Sequence, residues 1–516
     1  MESPWENLSD AIFHHAAIRP DAPAVTDNQG TITYRQFAEL VGAAAVYLRD
    51  LGIGADDRVG LALFNHTDHF IIMFAAMRIG AVPIEVPAEL PPQAQEEIFS
   101  RIKPKAIFVE AGLASGRAPI KIVVDAHWRR DLDGKSGDAR DGRTADLNRL
   151  VLLTSGSTGP AKGIVITHRQ FMARARIFDA LLGSHWSADR PGKFLLAVTI
   201  TASAFHHFFL CQILHGGPVH VLSRFVEDND FVRAVTAQQD AVLLTTPAIC
   251  RALLSRCGTR DKLLPNAQAL ICGGLPLSAA EKKRVLAHIT PNFFEVYGAA
   301  GSGLITGVRP ADFEAHADSV GRCAPAPIVE IVNADGVPVP AGGLGHLRCR
   351  GEAIADGFLA GSGSNTGPEM FRDGWYYPGD IATMDADGWI TLKGRKSDLI
   401  LRRGVEFYPF EIEEVLLALP WVRDAAVIGR PAKQGGEEEL VAIVVPGEGF
   451  KPDSLAAHCA AHLPPEKRPV SFHRAVEFPR TPSGKTDRQT LRADFLAKTA
   501  APPARPPVPG PQMVRR

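Results

Sequence analysis

The chain has 516 residues, enough for two or more domains with sizeable cores. Its 56 basic and 57 acidic residues give a formal net charge of −1, so no basic excess points to nucleic acid or an anionic membrane as a partner. Seven cysteines, an odd number without a CxxC pair, argue against a disulfide framework or a zinc site and fit a reducing cytoplasm.

The start, MESPWENLSD, lacks the apolar stretch of a signal peptide. No apolar run reaches the roughly 18 residues that a membrane-spanning helix needs. We therefore expect a cytoplasmic protein, monomeric or homodimeric, with no nucleic-acid or membrane partner.

Helical and strand patterns alternate along the chain, which favours the α/β class. The predicted helices are 10–18, 34–51 and 67–77, and another follows Thr167 with Phe171, Ala175, Phe178 and Leu182 on one face. The predicted strands are 58–63, 81–85, 269–272 and 292–297. Further along, Asp387-Gly388 predicts a hairpin turn.

A domain boundary is expected after Gly394, where new alternating elements begin. We predict an N-terminal domain over 1–394 and a C-terminal domain over 395–500. The last segment, 501–516, is rich in proline and basic residues and is predicted to be disordered.

The stretch VLLTSGSTGPAKGIVITH, residues 151–168, concentrates the most informative chemistry. Its glycines let backbone N–H groups converge, its hydroxyls add donors, and Lys162 adds a positive charge, which together suit a polyphosphate. Most Gly/Ser/Thr runs are only flexible loops. This run is short and lies between two apolar segments that read as strands, so it does not have the helix-opening form of a Walker A loop.

The ordered motifs resemble the adenylate-forming superfamily of AMP-forming acyl-CoA synthetases, adenylation domains and luciferases, from about residue 10 to 495. The matching segments are TSGSTGPAKG (154–163), Phe205-His206, Gly273-Gly274-Leu275-Pro276-Leu277, Tyr297-Gly298, Tyr377-Pro378-Gly379-Asp380, Gly394-Arg395 with Asp398, and Thr481-Pro482-Ser483-Gly484-Lys485. The resemblance implies a large N-terminal domain of mixed sheets with packed helices, and a small mobile C-terminal α+β domain that turns about 394–398.

The resemblance also implies site residues. The phosphate loop would be Thr154, Ser155, Gly156, Ser157, Thr158, Gly159 and Lys162; the adenine and acyl segment Gly273, Gly274 and Leu275; the adenine platform Tyr297 with Gly298; the ribose ligands Asp380 and Arg395. Lys485 would neutralise charge between carboxylate and α-phosphate, and His206 would lie beside the reacting carboxylate. Gly404 would line the thiol tunnel. The implied cofactors are ATP, Mg²⁺ and coenzyme A.

The chain departs from the family's YGxTE motif, since Ala300 and Gly301 replace the threonine and the glutamate. The glutamate is the usual magnesium ligand, so the metal ligands here are unknown. Restoring it in a Gly301→Glu variant is expected to tighten magnesium binding. Glu406 also replaces a residue that is often basic or an amide.

Three functions remain open from the sequence. The first is a ligase that joins an apolar aliphatic or aromatic carboxylic acid to coenzyme A. The second is a freestanding adenylation enzyme that loads an acyl carrier protein in trans. The third is a non-catalytic homologue that binds adenylate or acyl groups, favoured by the altered YGxTE motif and by Glu406.

Overall fold

The structure, a computed structural model, describes residues 5–113, 117–125, 127–154, 162–186, 189, 191–222, 228–238, 240–257, 262–275, 277–323, 326–360, 367–402, 405–432, 438–480 and 486–500. The chain divides into two compact units, Met1–Leu392 and Lys393–Arg516. The sequence predicts this domain boundary two residues later, after Gly394. The predicted α/β class, with a large N-terminal and a small C-terminal domain, is confirmed. Movement of the small domain stays a prediction.

The helices of the first unit include all those predicted from the sequence. They are α1 (Asp10–Ile18), α2 (Tyr34–Asp50), α3 (Thr67–Arg78), α4 (Pro92–Ile102), α5 (His168–Leu182), α6 (Ser203–His215), α7 (Asp228–Thr236), α8 (Pro247–Leu254), α9 (Ala279–His288), α10 (Phe313–His316) and α11 (Gly367–Met370). Thr167 caps the start of α5 with a capping box. The Thr167 hydroxyl accepts from the Gln170 N–H, and the Gln170 side chain accepts from the Thr167 N–H.

The strands of the first unit are β1 (Pro23–Asp27), β2 (Gly30–Thr33), β3 (Arg58–Ala62), β4 (Val82–Glu85), β5 (Ala106–Glu110), β6 (Ile120–Val124), β7 (Arg149–Thr154), β8 (Lys162–Thr167), β9 (Lys193–Leu196), β10 (Val219–Val221), β11 (Ala241–Thr245), β12 (Ala269–Gly273), β13 (Phe293–Ala299), β14 (Gly303–Val308), β15 (Ile328–Val332), β16 (Gly345–Arg350), β17 (Gly357–Phe358), β18 (Phe371–Arg372), β19 (Trp375–Tyr376), β20 (Asp380–Met384) and β21 (Ile390–Arg395), the last of which runs past Leu392. The four strands predicted over 58–63, 81–85, 269–272 and 292–297 are found as β3, β4, β12 and β13, with ends that differ by at most two residues.

Two mostly parallel sheets build the first unit. One has the order β14-β13-β12-β11-β9-β10-β1-β2, in which β14 and β2 are the antiparallel edges. The other has the order β17-β8-β7-β4-β3-β5-β6, in which β8 runs antiparallel to both of its neighbours. Helices α2, α3, α5 and α6 share one apolar core with strands of both sheets. Parallel strands buried on both faces explain the continuous apolar runs that the sequence shows.

A third, antiparallel sheet has the order β18-β19-β16-β20-β21, with β15 paired to β16. The predicted hairpin turn at Asp387-Gly388 is confirmed, since it joins the neighbouring strands β20 and β21. This sheet carries Asp380 on its strand β20 and Tyr376 on β19.

The second unit has a separate core of its own. It contains the hairpin β22 (Ile400–Arg402) and β23 (Val405–Phe407), the sheet of β24 (Val422–Pro431), β25 (Glu438–Pro446) and β26 (Ser471–Arg474), and helices α12 (Pro409–Leu417), α13 (Ser454–His462) and α14 (Arg488–Ala500). Residues 501–516 lie outside the described residues. Among the helices that the structure describes, none has the length and apolarity to cross a membrane.

Candidate active site

Predicted nucleotide-binding residues from separate parts of the sequence lie at one edge of a sheet. Gly273 ends β12, and Tyr297 and Gly298 lie near the end of the parallel neighbour β13. Gly274 and Leu275 follow β12 directly, with Gly274 exposed and at φ +90°. In open α/β sheets, ligands bind outside the carboxyl ends of parallel strands. This edge is therefore the candidate nucleotide site.

Tyr297 and Asp380 are 83 positions apart in the chain, and a hydrogen bond joins their side chains. The phenol of Tyr297 donates to Oδ2 of Asp380 at 2.6 Å. Asp380 is 5% exposed and follows Gly379, which has φ +86°. The bond fixes the tilt of the tyrosine ring and gives Asp380 one defined orientation. It joins the residue predicted to stack on adenine to the one predicted to bind ribose.

The two ends of the predicted phosphate loop lie side by side. Thr154 and Lys162 are partners in the antiparallel pair of β7 and β8, which confirms that the loop joins two strands. The Lys162 ammonium lies 5.7 Å from the centre of the Phe358 ring, a cation–π distance. The loop residues Ser155, Gly156, Ser157, Thr158 and Gly159 lie outside the described residues, so their role stays a prediction.

His206 lies on α6 with a ring that is 1% exposed. Burial lowers its pKa to about 4, so the ring is neutral at neutral pH. Neither ring nitrogen makes a regular hydrogen bond to another described residue, although the Ile200 backbone is near enough to favour the protonated ring slightly. Glu85 and His69, bonded at 2.7 Å, are also near enough to influence it. A neutral ring has one N–H and one acceptor nitrogen, so it can donate one hydrogen bond.

Arg174 on α5 is a residue that sequence reasoning missed. Its guanidinium is fully buried and donates to the carbonyl oxygens of Ala353 at 2.7 Å, Gly301 at 2.9 Å and Ala300 at 3.2 Å. It also donates to Nε2 of His207 at 2.7 Å. The signal was present in the sequence: position 174 falls on the same helix face as the predicted core residues 171 and 178, where a cation is out of place.

Residues 299–303, which contain the replaced YGxTE positions, form the tight turn between β13 and β14. Ser302 closes the turn, since its N–H donates to the Ala299 carbonyl at 3.1 Å. A Cβ at Gly298 would lie 2.2 Å from the Gly303 carbonyl oxygen, so only glycine fits there. A Cβ at Gly301 would lie 2.5 Å from ring carbons of Tyr376. The packing therefore leaves no room for a glutamate side chain at position 301.

In the second unit, Arg395 ends β21 and is followed by Asp398 in a short 3₁₀ turn. Arg488, the first residue of α14, pairs with Asp398 at 3.2 Å and with both carboxylate oxygens of Glu413. These two acids hold the pKa of Arg488 well above its usual value. The segment that follows Lys485 is thus tied to the predicted hinge segment. Lys485 and Gly404 themselves lie outside the described residues.

Comparison with known proteins agrees with this geometry. The profile of the AMP-binding enzyme family matches residues 12–359, and that of the AMP-binding enzyme C-terminal domain matches residues 411–485. The chain belongs to the AMP-binding enzyme family. The first profile spans the phosphate loop, the edge at β12 and β13, and Arg174, while the second ends at Lys485.

Curated relatives of this AMP-binding enzyme are similar along nearly their whole length. The long-chain-fatty-acid–CoA ligase of Salmonella typhimurium is 25% identical, over 94% of this chain and 94% of its own. The fatty acid–[acyl-carrier-protein] ligase ScoC of Streptomyces coeruleorubidus is 28% identical, over 96% and 98%. The structure of ATP-bound MatB from Rhodopseudomonas palustris superposes with a TM-score of 0.84 at 21% identity, over 95% and 99%. The similarity to MatB establishes the shared fold.

Tyr297→Phe tests the hydrogen bond between the two predicted nucleotide ligands. The variant keeps the ring but removes a hydrogen bond to a charged group, which is worth about 1.5 kcal/mol. We expect the KM for ATP to rise about tenfold, with kcat changed far less. Steady-state pyrophosphate release measures both constants. Tyr47→Phe, a half-buried tyrosine on α2, is the control, and an unchanged KM in Tyr297→Phe would contradict the assignment.

Proposed function

We propose that this AMP-binding enzyme is an AMP-forming ligase that activates an apolar aliphatic or aromatic carboxylic acid with ATP and transfers the acyl group to coenzyme A. The observation that carries the proposal is the Tyr297–Asp380 bond at the carboxyl edge of parallel strands. It joins two predicted nucleotide ligands in a chain whose family is defined by AMP binding. The relatives named for fatty acids favour an apolar acid.

In the first half-reaction, an oxygen of the acid carboxylate attacks the α-phosphorus of ATP. A carboxyl–phosphate bond forms, the bond from the α-phosphorus to the β-bridging oxygen breaks, and pyrophosphate leaves. Catalysis of such substitution depends mainly on positioning and on stabilising charge. Asp380 would accept hydrogen bonds from ribose hydroxyls, Tyr297 would stack on adenine, and residues 154–162 would hold the β- and γ-phosphates.

The acid would be oriented beside α6. Since burial keeps the pKa of His206 at about 4, its ring would meet the carboxylate as a neutral hydrogen-bond donor. It would orient the nucleophilic oxygen without forming an ion pair that lowers its reactivity. The positive charge would come from Lys485, which the resemblance assigns to the second unit, and Arg395 would support the ribose.

The described residues do not fit a magnesium ion held by the turn at 299–303. Gly301 stands where the resembling motif has its glutamate, and the Tyr376 ring blocks a longer side chain. No group of three or more acidic, histidine or cysteine side chains with metal-binding geometry occurs among the residues described. Magnesium would therefore be held chiefly by the phosphates of ATP, as is common for this ion.

In the second half-reaction, the thiolate sulfur of coenzyme A would attack the acyl carbonyl, and AMP would leave. A carrier protein with a pantetheine arm presents the same thiol, so a carrier-loading enzyme is the second candidate. The 28% identity to ScoC, named as an acyl-carrier-protein ligase, favours it. The replaced residues Ala300 and Gly301 favour a third candidate, a non-catalytic homologue.

One assay separates the three candidates. The protein is incubated with ATP, magnesium and a panel of acids, covering fatty acids of increasing length together with benzoate and cinnamate. Pyrophosphate and AMP are measured with and without coenzyme A. AMP and acyl-CoA formation that require the thiol support the ligase. Pyrophosphate release without transfer to coenzyme A supports a carrier-loading enzyme. ATP binding without pyrophosphate release across the panel would overturn the proposal in favour of the non-catalytic homologue.

A further inference from the structure

Arg174 is a buried cation whose position no nucleotide-binding motif explains. Its side chain is 0% exposed, and in the described part of the chain no carboxylate forms an ion pair with it. Burial lowers its pKa to about 9, so the guanidinium remains charged at neutral pH. An unpaired buried charge is strongly destabilising unless polar groups surround it. The polar groups that surround the guanidinium must therefore account for the arginine at this position.

The polar groups around Arg174 define what it does. Two of its carbonyl partners, Ala300 and Gly301, are the residues that replace the threonine and glutamate of the YGxTE motif. A third, Ala353, lies after β16. Charge-assisted hydrogen bonds from one rigid planar group to these carbonyls fix the turn against α5. The Gly301 carbonyl also accepts from the Ala355 N–H at 2.8 Å.

His207 holds the guanidinium in this orientation. Its Nδ1 donates to the Ser203 carbonyl, so Nε2 is left as the acceptor for Arg174. Burial and the neighbouring arginine keep the pKa of His207 far below its usual value. The ring therefore stays neutral, and the accepting tautomer is maintained. Phe171 stacks on the ring at 5.3 Å, which fixes its plane.

We propose that Arg174 is a positioning residue for adenylate formation, which fixes the backbone of residues 299–303 in place of the missing threonine and glutamate side chains. The inference rests on the proposed function. Ala300 and Gly301 offer a ligand no polar side-chain atoms, and the buried Ser302 hydroxyl is bonded to the backbone of Ala299 and Gly303. The turn would therefore act on the substrates through its backbone and through Tyr297 just before it. The position of that backbone then controls the rate of adenylate formation.

The direction of the peptide groups supports this role. In a trans peptide the carbonyl and the following N–H point opposite ways. With the Ala300 carbonyl on Arg174, the N–H of Gly301 points away from the guanidinium. A cation at the carbonyl also polarises the peptide and strengthens that N–H as a donor. Arg174 thus sets both the direction and the strength of a donor at the position where the motif has lost a side chain.

The test compares Arg174→Met with Arg176→Met. Both arginines lie on α5, but Arg176 is 45% exposed and pairs with the exposed Glu352. We expect Arg174→Met to lower kcat for pyrophosphate release about 10²-fold, as small displacements at a reacting centre do. We expect the dissociation constant for ATP to change less than about threefold, because the phosphate loop and Asp380 are untouched. Arg176→Met is expected to match the wild-type enzyme.

Arg174→Lys keeps the test decisive if the methionine variant fails to fold. The lysine retains the positive charge and can reach one carbonyl, but it lacks the planar guanidinium that donates to several carbonyls at once. A kcat clearly below that of wild type, with unchanged ATP binding and a wild-type unfolding midpoint, supports positioning. Wild-type kcat in either folded Arg174 variant overturns the inference and leaves the proposed function standing. If the wild type and Arg176→Met release no pyrophosphate with any acid, both the proposed function and the inference fail.

Discussion

Replacing Lys485 with alanine is expected to lower kcat for pyrophosphate release by about 10²–10³ while ATP still binds. Loss of one preorganised stabilising group costs about this factor in kcat. The ammonium would meet the charge that develops between the carboxylate and the α-phosphate, so its loss acts on the transition state. ATP affinity should persist, because most of the other predicted nucleotide ligands, including Tyr297 and Asp380, lie in the first unit.

We expect Lys485→Ala to remove the lysine charge without a change in the stability of the second unit. Arg488 anchors the start of α14 to Glu413 through two hydrogen bonds, which the substitution leaves in place. The unfolding midpoint should therefore equal that of wild type. Lys498→Ala, at an exposed position in the last turn of the same helix, is the matched control. Turnover near the wild-type rate in Lys485→Ala would show that another group stabilises the transition state.

The sequence predicts secondary structure correctly where the pattern that defines an element lies within the element itself. The helix 10–18 and the start of α5 after Thr167 are found as predicted, because apolar spacing and, for α5, the Thr167 cap fix such boundaries within a few positions. Motif resemblance alone predicts that Tyr297 stacks on adenine and that Asp380 binds ribose. Their direct bond could not be predicted, since it depends on how the third sheet meets β13.

The buried arginine shows what a motif-based prediction leaves out. Position 174 is embedded in a helix whose apolar face was recognised, but its partners are backbone carbonyls. A backbone carbonyl partner cannot be recognised in a sequence, because every residue has a backbone carbonyl group. The same limit applies to Tyr376, whose contact with the Gly301 position joins residues 75 positions apart. Such contacts appear only once the sheets are assembled.

Gly301→Glu is expected to destabilise the protein and to leave magnesium binding unchanged, contrary to the expectation from the motif alone. An added Cβ would lie 2.5 Å from ring carbons of Tyr376, which is 2% exposed and packs against Phe371 at 4.8 Å. Because that ring cannot move freely, overpacking should cost about 1–3 kcal/mol in the free energy of unfolding. Burying a carboxylate adds to this cost.

Two alanine variants separate steric from electrostatic effects. Gly301→Ala should already lose much of the stability measured for Gly301→Glu in urea denaturation, whereas Gly54→Ala, where a Cβ meets nothing within 4 Å, should unfold like wild type. Magnesium titration of ATP-dependent pyrophosphate release should give the same midpoint in Gly301→Glu and wild type. Tighter magnesium binding with wild-type stability would mean that the turn can open to admit a metal ligand. The Arg174 contacts would then be a less rigid restraint than four charge-assisted hydrogen bonds imply.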